Sequence, residues 1–274
     1  MGTGSSDPAT GQTQIRSDRL AEEISTVQTR LRGFPDDAKA RETLFHLYCI
    51  TGQWDRARVQ LKALADQNKG AKKLAPLYET LLQAEQQRQA VLAGTAKPTI
   101  FGEPEEWMAW QVRVLELLSR NEYGPAAELR DKAWSAAPNS PGSINGESFE
   151  WMADADARLG PVLEVIVDGL YYWVPFIRIQ SIALEEPKTL GDMVWARAVF
   201  QWRGGVGATG HIPVRYSGSE MASEGDVQLA RKTEWHERAE GWSFGIGQRL
   251  FITSQTDKDY PILDTRKVEF RLSA

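Results

Sequence analysis

The first half of the chain, from about residue 18 to residue 138, repeats its apolar residues at the spacing of an α-helix. The first stripe consists of Leu20, Ile24, Val27 and Leu31, and further stripes follow at 44–64, 74–82 and 107–117. Each stripe occupies one side of its helix and must be buried against a neighbouring element. The linkers between the stripes are short, which favours antiparallel helix pairs. The periodicity therefore predicts a packed helical array.

Two of the predicted helix pairs share the register of tetratricopeptide repeats, which are helix-turn-helix units of about 34 residues. In the better copy, over residues 44–64, Gly52 stands where the first helix ends and Ala57 where two helix backbones approach closely. Glycine enters the left-handed conformation at a helix C-terminus without steric cost. The weaker copy, over residues 117–138, has Asn121 at that position, and asparagine also tolerates the conformation. We interpret this half as a short, degenerate tetratricopeptide-like array.

The concave face of such an array is shaped to receive an extended or helical peptide. The repeat register places six residues on this face: Glu42, His46, Cys49, Ile50, Gln111 and Leu115. We expect these residues to form a peptide-binding groove. The alternative is that individual members pack in the core, and the sequence leaves that alternative open.

Beyond residue 138 the pattern changes from helical to strand-like. Residues 139–146 are dense in turn formers, residues 149–158 favour a short helix, and residues 162–167 fit either a helix or a strand. Short strands are predicted at 171–174, 177–184, 194–202, 210–216, 226–229, 249–253 and 268–272. Residues 231–235 fit an edge strand with an anchoring tryptophan. Helices followed by strands along one chain favour segregated domains.

The predicted fold class is therefore α+β with two domains. Residues 15–138 are expected to form the domain of tetratricopeptide-like antiparallel helix pairs, and residues 139–274 a small mixed, mainly β and barrel-like domain. Residues 1–14 are rich in Gly, Ser and Thr and lack the apolar segment of a signal peptide. We interpret them as a disordered tail or a tag.

Charge, hydropathy and cysteine content disfavour several classes of protein. The net charge is −5 and no basic cluster is present, so we expect no nucleic-acid partner. No apolar run approaches the roughly 18 residues that cross a bilayer, so no membrane association is expected. The single cysteine, Cys49, cannot form an intrachain disulfide and suits a reducing compartment. We expect a cytoplasmic protein.

The sequence contains no recognisable catalytic or cofactor-binding motif. The three histidines are far apart and one cysteine cannot build a structural zinc site, so we expect neither a metal nor a cofactor. The glycines at positions 204, 205 and 207 form neither a P-loop nor a dinucleotide-binding fingerprint. We therefore expect a protein that is not an enzyme.

The densest polar cluster comprises Glu150, Asp154, Asp156 and Arg158, at the expected junction of the two domains. On a helix, Glu150 and Asp154 would share one face, with Arg158 a further turn away. That arrangement fits an intrahelical ladder of ion pairs or a buried Arg–Asp tie between the domains. It also fits an enzyme that uses Glu150, Asp154 and Asp156 as acids or metal ligands, which is the alternative to a binding function.

Eight stretches of the chain, in their order and spacing, resemble the ImpE/TagJ family. They are residues 44–61, 101–107, 142–146, 149–161, 171–176, 212–216, 229–235 and 247–249. The most distinctive reads Phe-Glu-Trp-Met-Ala-Asp-Ala-Asp-Ala-Arg-Leu-Gly-Pro over residues 149–161. The chain departs from the family pattern at its start, where only the second helix of the first pair, around residues 20–31, is recognisable.

The resemblance implies a non-catalytic accessory or adaptor protein of a type VI secretion system. It implies that the partner is the small subunit of the contractile sheath, TssB, of which a helix or an extended segment is captured. It also implies a link to sheath assembly or recycling, with the ClpV ATPase, which disassembles the sheath, as an indirect partner. The family brings no catalytic residues with it.

Overall fold

The computed structural model describes residues 15–255 and 258–271, so the predicted tail or tag at residues 1–14 lies outside the described residues. The first half is helical, as its periodicity predicts. Its long helices are α1 (Leu20–Gly33), α2 (Ala38–Ile50), α3 (Trp54–Gln67), α4 (Lys69–Leu92), α5 (Glu106–Leu118) and α6 (Tyr123–Ala136). Consecutive helices pack against each other from α1 to α4, and α5 packs against α6.

The turns between paired helices have the conformations that their residue types indicate. Gly52, between α2 and α3, has φ 66°, and Asn121, between α5 and α6, has φ 59°. Both values lie in the left-handed region, where glycine and asparagine are tolerated best. At its other end α2 is capped by Asp37, whose side chain accepts a hydrogen bond from the backbone N–H of Ala40 (2.9 Å).

The second half supplies nearly all the strands. In chain order they are β1 (Thr99–Ile100), β2 (Gly142–Ile144), β3 (Glu147–Phe149), β4 (Met152–Asp154), β5 (Val162–Val167), β6 (Leu170–Pro175), β7 (Ile179–Leu184), β8 (Trp195–Trp202), β9 (Ala208–Pro213), β10 (Thr233–Ala239), β11 (Trp242–Gly247), β12 (Leu250–Thr253), β13 (Tyr260–Pro261) and β14 (Lys267–Phe270). The largest sheet has the order β1-β6-β5-β9-β8-β7-β14-β2-β3. Strands β13-β12-β4 and β10-β11 form smaller sheets. The α+β fold class is confirmed.

Two details differ from the barrel-like domain that the sequence predicts. Among the described residues the large sheet is hydrogen-bonded as an open sheet, because β1 and β3 stand at opposite ends of its order. Residues 226–229, predicted as a strand, instead form most of a one-turn helix, α7 (Gly225–Gln228), and its C-terminal cap, Leu229. This turn closes with hydrogen bonds from the N–H groups of Leu229 and Arg231 to carbonyls at its start.

The helix predicted at residues 149–158 is wrong. The segment instead contains the end of β3, strand β4 and a turn. The backbone N–H of Asp156 donates to the carboxylate of Asp154 (2.8 Å), and that of Arg158 donates to the carboxylate of Asp156 (2.9 Å). Such local bonds from aspartate side chains compete with helical hydrogen bonding, which explains why the helical spacing is not realised here.

The buried apolar residues form three clusters, and the largest of them is shared by the helices and the sheet. This cluster combines Leu47 and Val91 from the helices with Ile166, Trp173 and Trp195 from the strands. Strand β1, which lies between α4 and α5, also pairs in parallel with β6. The helical half is therefore packed firmly onto the sheet.

Candidate binding cleft and the buried polar network

An open cleft of about 510 Å³ lies between α2, α3 and the first turns of α4. Most of its lining is apolar, and the residues concerned are Ala38, Lys39, Glu42, Phe45, His46, Leu61, Leu64, Asn68, Gly70, Ala71, Leu74 and Tyr78. Leu74 is 52% exposed. The charged side chains of Lys39 and Glu42 belong to exposed residues on α2. The cleft therefore combines an apolar interior with charge of both signs on one wall.

Aromatic rings form the deep side of the cleft and connect α2 to α4. The ring of Phe45 lies 5.0 Å from that of Tyr78, and the ring of His46 lies 5.8 Å from that of Tyr78, both edge-on. Burial lowers the pKa of His46 to about 4, although Asp192 acts in the opposite direction, so this imidazole is neutral at physiological pH. Burial likewise raises the pKa of Tyr78 to about 12. The interior of the cleft is thus uncharged.

Of the six residues that the sequence places on a groove, the structure places two on the cleft and four in the interior. Glu42 and His46 line the cleft. The other four do not line it and are buried, with exposures of 0% for Cys49, Ile50 and Gln111 and 2% for Leu115. For these four, the core-packing alternative is the one realised.

The sheet-rich half packs on α2 and also contacts Gln111 of α5. A 3₁₀ turn, Leu190–Met193, packs on α2. The amide of Gln111 donates to the carbonyl of Arg158 (3.0 Å) and accepts from the indole N–H of Trp134 (3.1 Å). A face that would be concave and open in an isolated repeat array is therefore interior here.

Only three of the four residues in the predicted junction cluster are buried. Glu150 is exposed in the loop between β3 and β4, whereas Asp154 and Asp156 are buried. The guanidinium of Arg158 donates to both carboxylate oxygens of Asp156 at 2.9 and 2.5 Å. Arg249 donates to Asp154 (2.5 Å). These contacts are buried Arg–Asp ties rather than a helical ladder.

The ties belong to a larger network centred on Glu164 of β5, which the sequence analysis missed. Arg88 of α4 donates through Nε to both carboxylate oxygens of Glu164 at 2.9 and 3.0 Å. Arg249 and the hydroxyl of Tyr171 also donate to Glu164. Arg88 further contacts Glu85 of α4 (3.3 Å), which accepts from the indole of Trp195 (3.0 Å). The network therefore joins helix α4 to five strands or strand ends, because Arg249 also binds Asp154 of β4.

The pKa values of the carboxylates follow their surroundings. Burial alone would raise the pKa of Glu164, but Arg88 and Arg249 outweigh it and hold the pKa at about 2. Burial raises the pKa of Asp154 to about 7, with a further increase from Asp156 and against the pull of Arg249. Burial also raises the pKa of Glu85. The two arginines therefore keep Glu164 ionised at neutral pH.

Within the part of the chain that the structure describes, the buried Asp154 and Asp156 line neither of two apolar cavities. These are the α2–α4 cleft and a smaller cavity of about 280 Å³ beside Trp134 and Trp151. Among the described residues, no three His, Cys, Asp or Glu side chains converge as a metal site requires. Within the same part of the chain, no helix is both long and apolar enough to span a bilayer.

Fold and site together define an α+β protein whose tetratricopeptide-like helix pairs carry an open apolar cleft and are tied to a mixed sheet by buried ion pairs. Residues 146–269 match the family model described as ImpE protein. The type VI secretion system accessory component TagJ of Pseudomonas aeruginosa is 36% identical over 256 residues, which cover 93% of this chain and 89% of that protein. The chain therefore belongs to the ImpE/TagJ family.

A solved structure shows the same fold. The X-ray crystal structure of a Vibrio parahaemolyticus protein matches with a TM-score of 0.84 at 24% sequence identity. The match covers 93% of this chain and 95% of that one. The arrangement of helix pairs on a mixed sheet is therefore shared over nearly the full length of both proteins.

Proposed function

We propose that this protein is a non-catalytic accessory component of a type VI secretion system that captures a segment of the small contractile-sheath subunit in the α2–α4 cleft. The single observation that carries the proposal is the cleft itself, open and apolar within the helical repeat array. Family membership supports the secretion role, because the relative from Pseudomonas aeruginosa carries that description. The proposal places the protein in the cytoplasm, beside the sheath.

The cleft suits an amphipathic helix or an extended segment. Its volume of about 510 Å³ lies within the range of protein pockets, about 300–1,000 Å³. An amphipathic helix that binds in a groove inserts apolar side chains spaced three and four residues apart. Leu74 and Tyr78, neither of which is fully buried, offer apolar contacts for such side chains. Lys39 and Glu42 can pair with charges on the polar side of the same helix.

Capture of a sheath segment would link the protein to sheath assembly or to recycling by ClpV. In this proposal the cleft holds one subunit and the rest of the protein remains available to other components. No step of this function requires a cofactor, a metal or a catalytic group.

The test is a calorimetric titration of the full chain with a synthetic peptide from the N-terminus of the small sheath subunit. We expect micromolar affinity, about −8 kcal/mol, and a loss of at least about tenfold on Leu74→Glu. The charge placed in the cleft would have to be desolvated when an apolar side chain binds. Leu170→Glu is the matched control, since Leu170 is also 52% exposed but lies at the start of β6.

Two outcomes would contradict the proposal. One is that the unmodified protein does not bind the peptide. The other is that Leu74→Glu and Leu170→Glu bind with equal affinity, which would place the contact outside the cleft.

A further inference from the structure

Arg215 is a buried arginine whose guanidinium binds backbone carbonyls of two helices. Its side chain is in the interior, 4% exposed, just after β9. Nη1 donates to the carbonyl of Ile50 (2.6 Å) and to that of Gln228 (2.7 Å), and Nη2 donates to the carbonyl of Cys49 (3.2 Å). Cys49 and Ile50 are the last two residues of α2, and Gln228 is the last residue of α7.

These contacts satisfy groups that a helix cannot satisfy alone. The last four carbonyls of a helix have no partner within it, and the helix dipole places partial negative charge there. The planar guanidinium of a buried arginine donates hydrogen bonds to these carbonyls and also places a positive charge near the negative end of the helix dipole. Arg215 therefore fixes the position of the last turn of α2 relative to the sheet-rich half.

The backbone of Arg215 also contacts α4. The carbonyl of Arg215 accepts a hydrogen bond from Nη2 of Arg88 (2.5 Å), and Arg88 is in turn bound to Glu164. One residue of the sheet-rich half thus contacts α2 through its side chain and α4 through its backbone. These two helices form opposite walls of the cleft, where Phe45 of α2 meets Tyr78 of α4.

A displacement at Arg215 reaches the cleft over a short length of rigid helix. His46, which lines the cleft, lies one turn before Ile50, about 6 Å along the helix axis. Tyr78 lies ten residues before Arg88 on α4, about 15 Å along the axis. Because a helix transmits a shift along its length, a displacement of an anchored end moves the wall of the cleft on the same helix.

We propose that Arg215 is a positioning residue for the α2–α4 cleft, which ties both walls to one point of the sheet-rich half and so holds the cleft in its binding shape before a partner arrives. This inference rests on the proposed function of the cleft. A receptor that populates its binding-competent shape only part of the time has an apparent Kd equal to the intrinsic Kd divided by that fraction. Loss of the tie therefore weakens binding without removing any residue that touches the partner.

The test compares Arg215→Met with Arg158→Met in the full chain. Arg158 is also buried, but its guanidinium binds Asp156 and no carbonyl of α2 or α4. Each variant is titrated with the sheath-subunit peptide at a temperature where it is fully folded. We expect Arg215→Met to raise Kd about tenfold, as when the competent fraction falls to about a tenth. Arg158→Met should stay within about twofold of the unmodified protein.

Hydrogen exchange without any peptide supplies the readout that separates this inference from the proposed function. The amides of α2 should exchange at least about tenfold faster in Arg215→Met, because hydrogen bonds from a charged donor are lost there. In Arg158→Met they should keep their protection. If the peptide fails to bind the unmodified protein, the proposed function fails while the exchange result still decides whether Arg215 holds α2.

A second substitution covers the case in which Arg215→Met does not fold. Arg215→Lys keeps the charge, but an ammonium group cannot span the carbonyls of α2 and α7 as the planar guanidinium does. We therefore expect about a threefold loss of peptide affinity and faster amide exchange in α2. Arg158→Lys is the matched control. Equal affinity and equal α2 exchange for the Arg215 and Arg158 variants would overturn the inference.

Discussion

Replacement of Glu164 by glutamine tests the buried network at its centre. Glu164 is fully buried and accepts from Arg88, Arg249 and Tyr171. The substitution keeps the size of the side chain but removes the charge that two buried guanidinium groups face. Removal of one partner from a buried ion pair destabilises proteins by about 3–5 kcal/mol. We expect the free energy of unfolding to fall by that amount at pH 7.

The pKa of Glu164 leads to a similar magnitude by a separate route. Its pKa is lowered from 4.5 to about 2 in the folded protein, which corresponds to roughly 3 kcal/mol of stabilisation at neutral pH. Because the folded pKa is the lower one, this stabilisation is fully present above pH 4.5 and is lost as the pH falls through about 2. The advantage of the unmodified protein over Glu164→Gln should therefore shrink between those values.

Urea unfolding at pH 7 and at pH 3, followed by tryptophan fluorescence, measures both effects. The matched control is Glu147→Gln, because Glu147 also accepts from a cation and a tyrosine, Lys258 and Tyr260, but at the surface. This control should leave the unfolding free energy unchanged within error. The reasoning fails if Glu164→Gln costs less than about 1 kcal/mol, the usual worth of a surface pair, or if its cost at pH 3 equals that at pH 7.

Two further predictions concern the helical half. Gly52→Ala should lower the free energy of unfolding by about 1–2 kcal/mol, because φ at this position is 66°. Asn121→Gly should leave the free energy of unfolding nearly unchanged, since glycine tolerates the left-handed conformation. Thermal unfolding of both variants measures this difference, and equal effects would contradict the prediction. The imidazole of His46 should titrate at a pKa of about 4 in an NMR titration, since burial disfavours its charged form. A midpoint near the ordinary value of 6.5 would show that the deep side of the cleft is open to water.

The local features of the helical half could be predicted well from the sequence. Apolar spacing indicates the helices, and the residue types Gly52 and Asn121 indicate the left-handed turns between them, because both signals act within a few residues. Strands such as β8, with inward and outward residues in alternation, were recognisable for the same reason. Glu164 carried a usable signal too, as the one charged residue in a strand that is otherwise apolar.

The candidate site could be predicted only in part. Glu42 and His46 line the cleft in the structure, and their part in peptide binding stays a prediction. Cys49 and Ile50, one turn later on the same helix, are covered by the sheet-rich half, and no local pattern shows where that cover ends. The short segment around Asp154 and Asp156 was read as a helix because its spacing fits one, while aspartate–backbone bonds form a turn.

What the sequence alone determined was the helices of the first half, most of the longer strands of the second half, the repeat register and the family resemblance, all of which arise from neighbouring residues along the chain. Only the tertiary structure decided which arginine meets which carboxylate. Arg88 and Arg249 are 76 and 85 residues away from Glu164. Charge pairs of that separation depend on how the helices dock on the sheet. The same docking leaves one end of α2 open as a cleft and buries the other, because burial is a property of the packed surfaces.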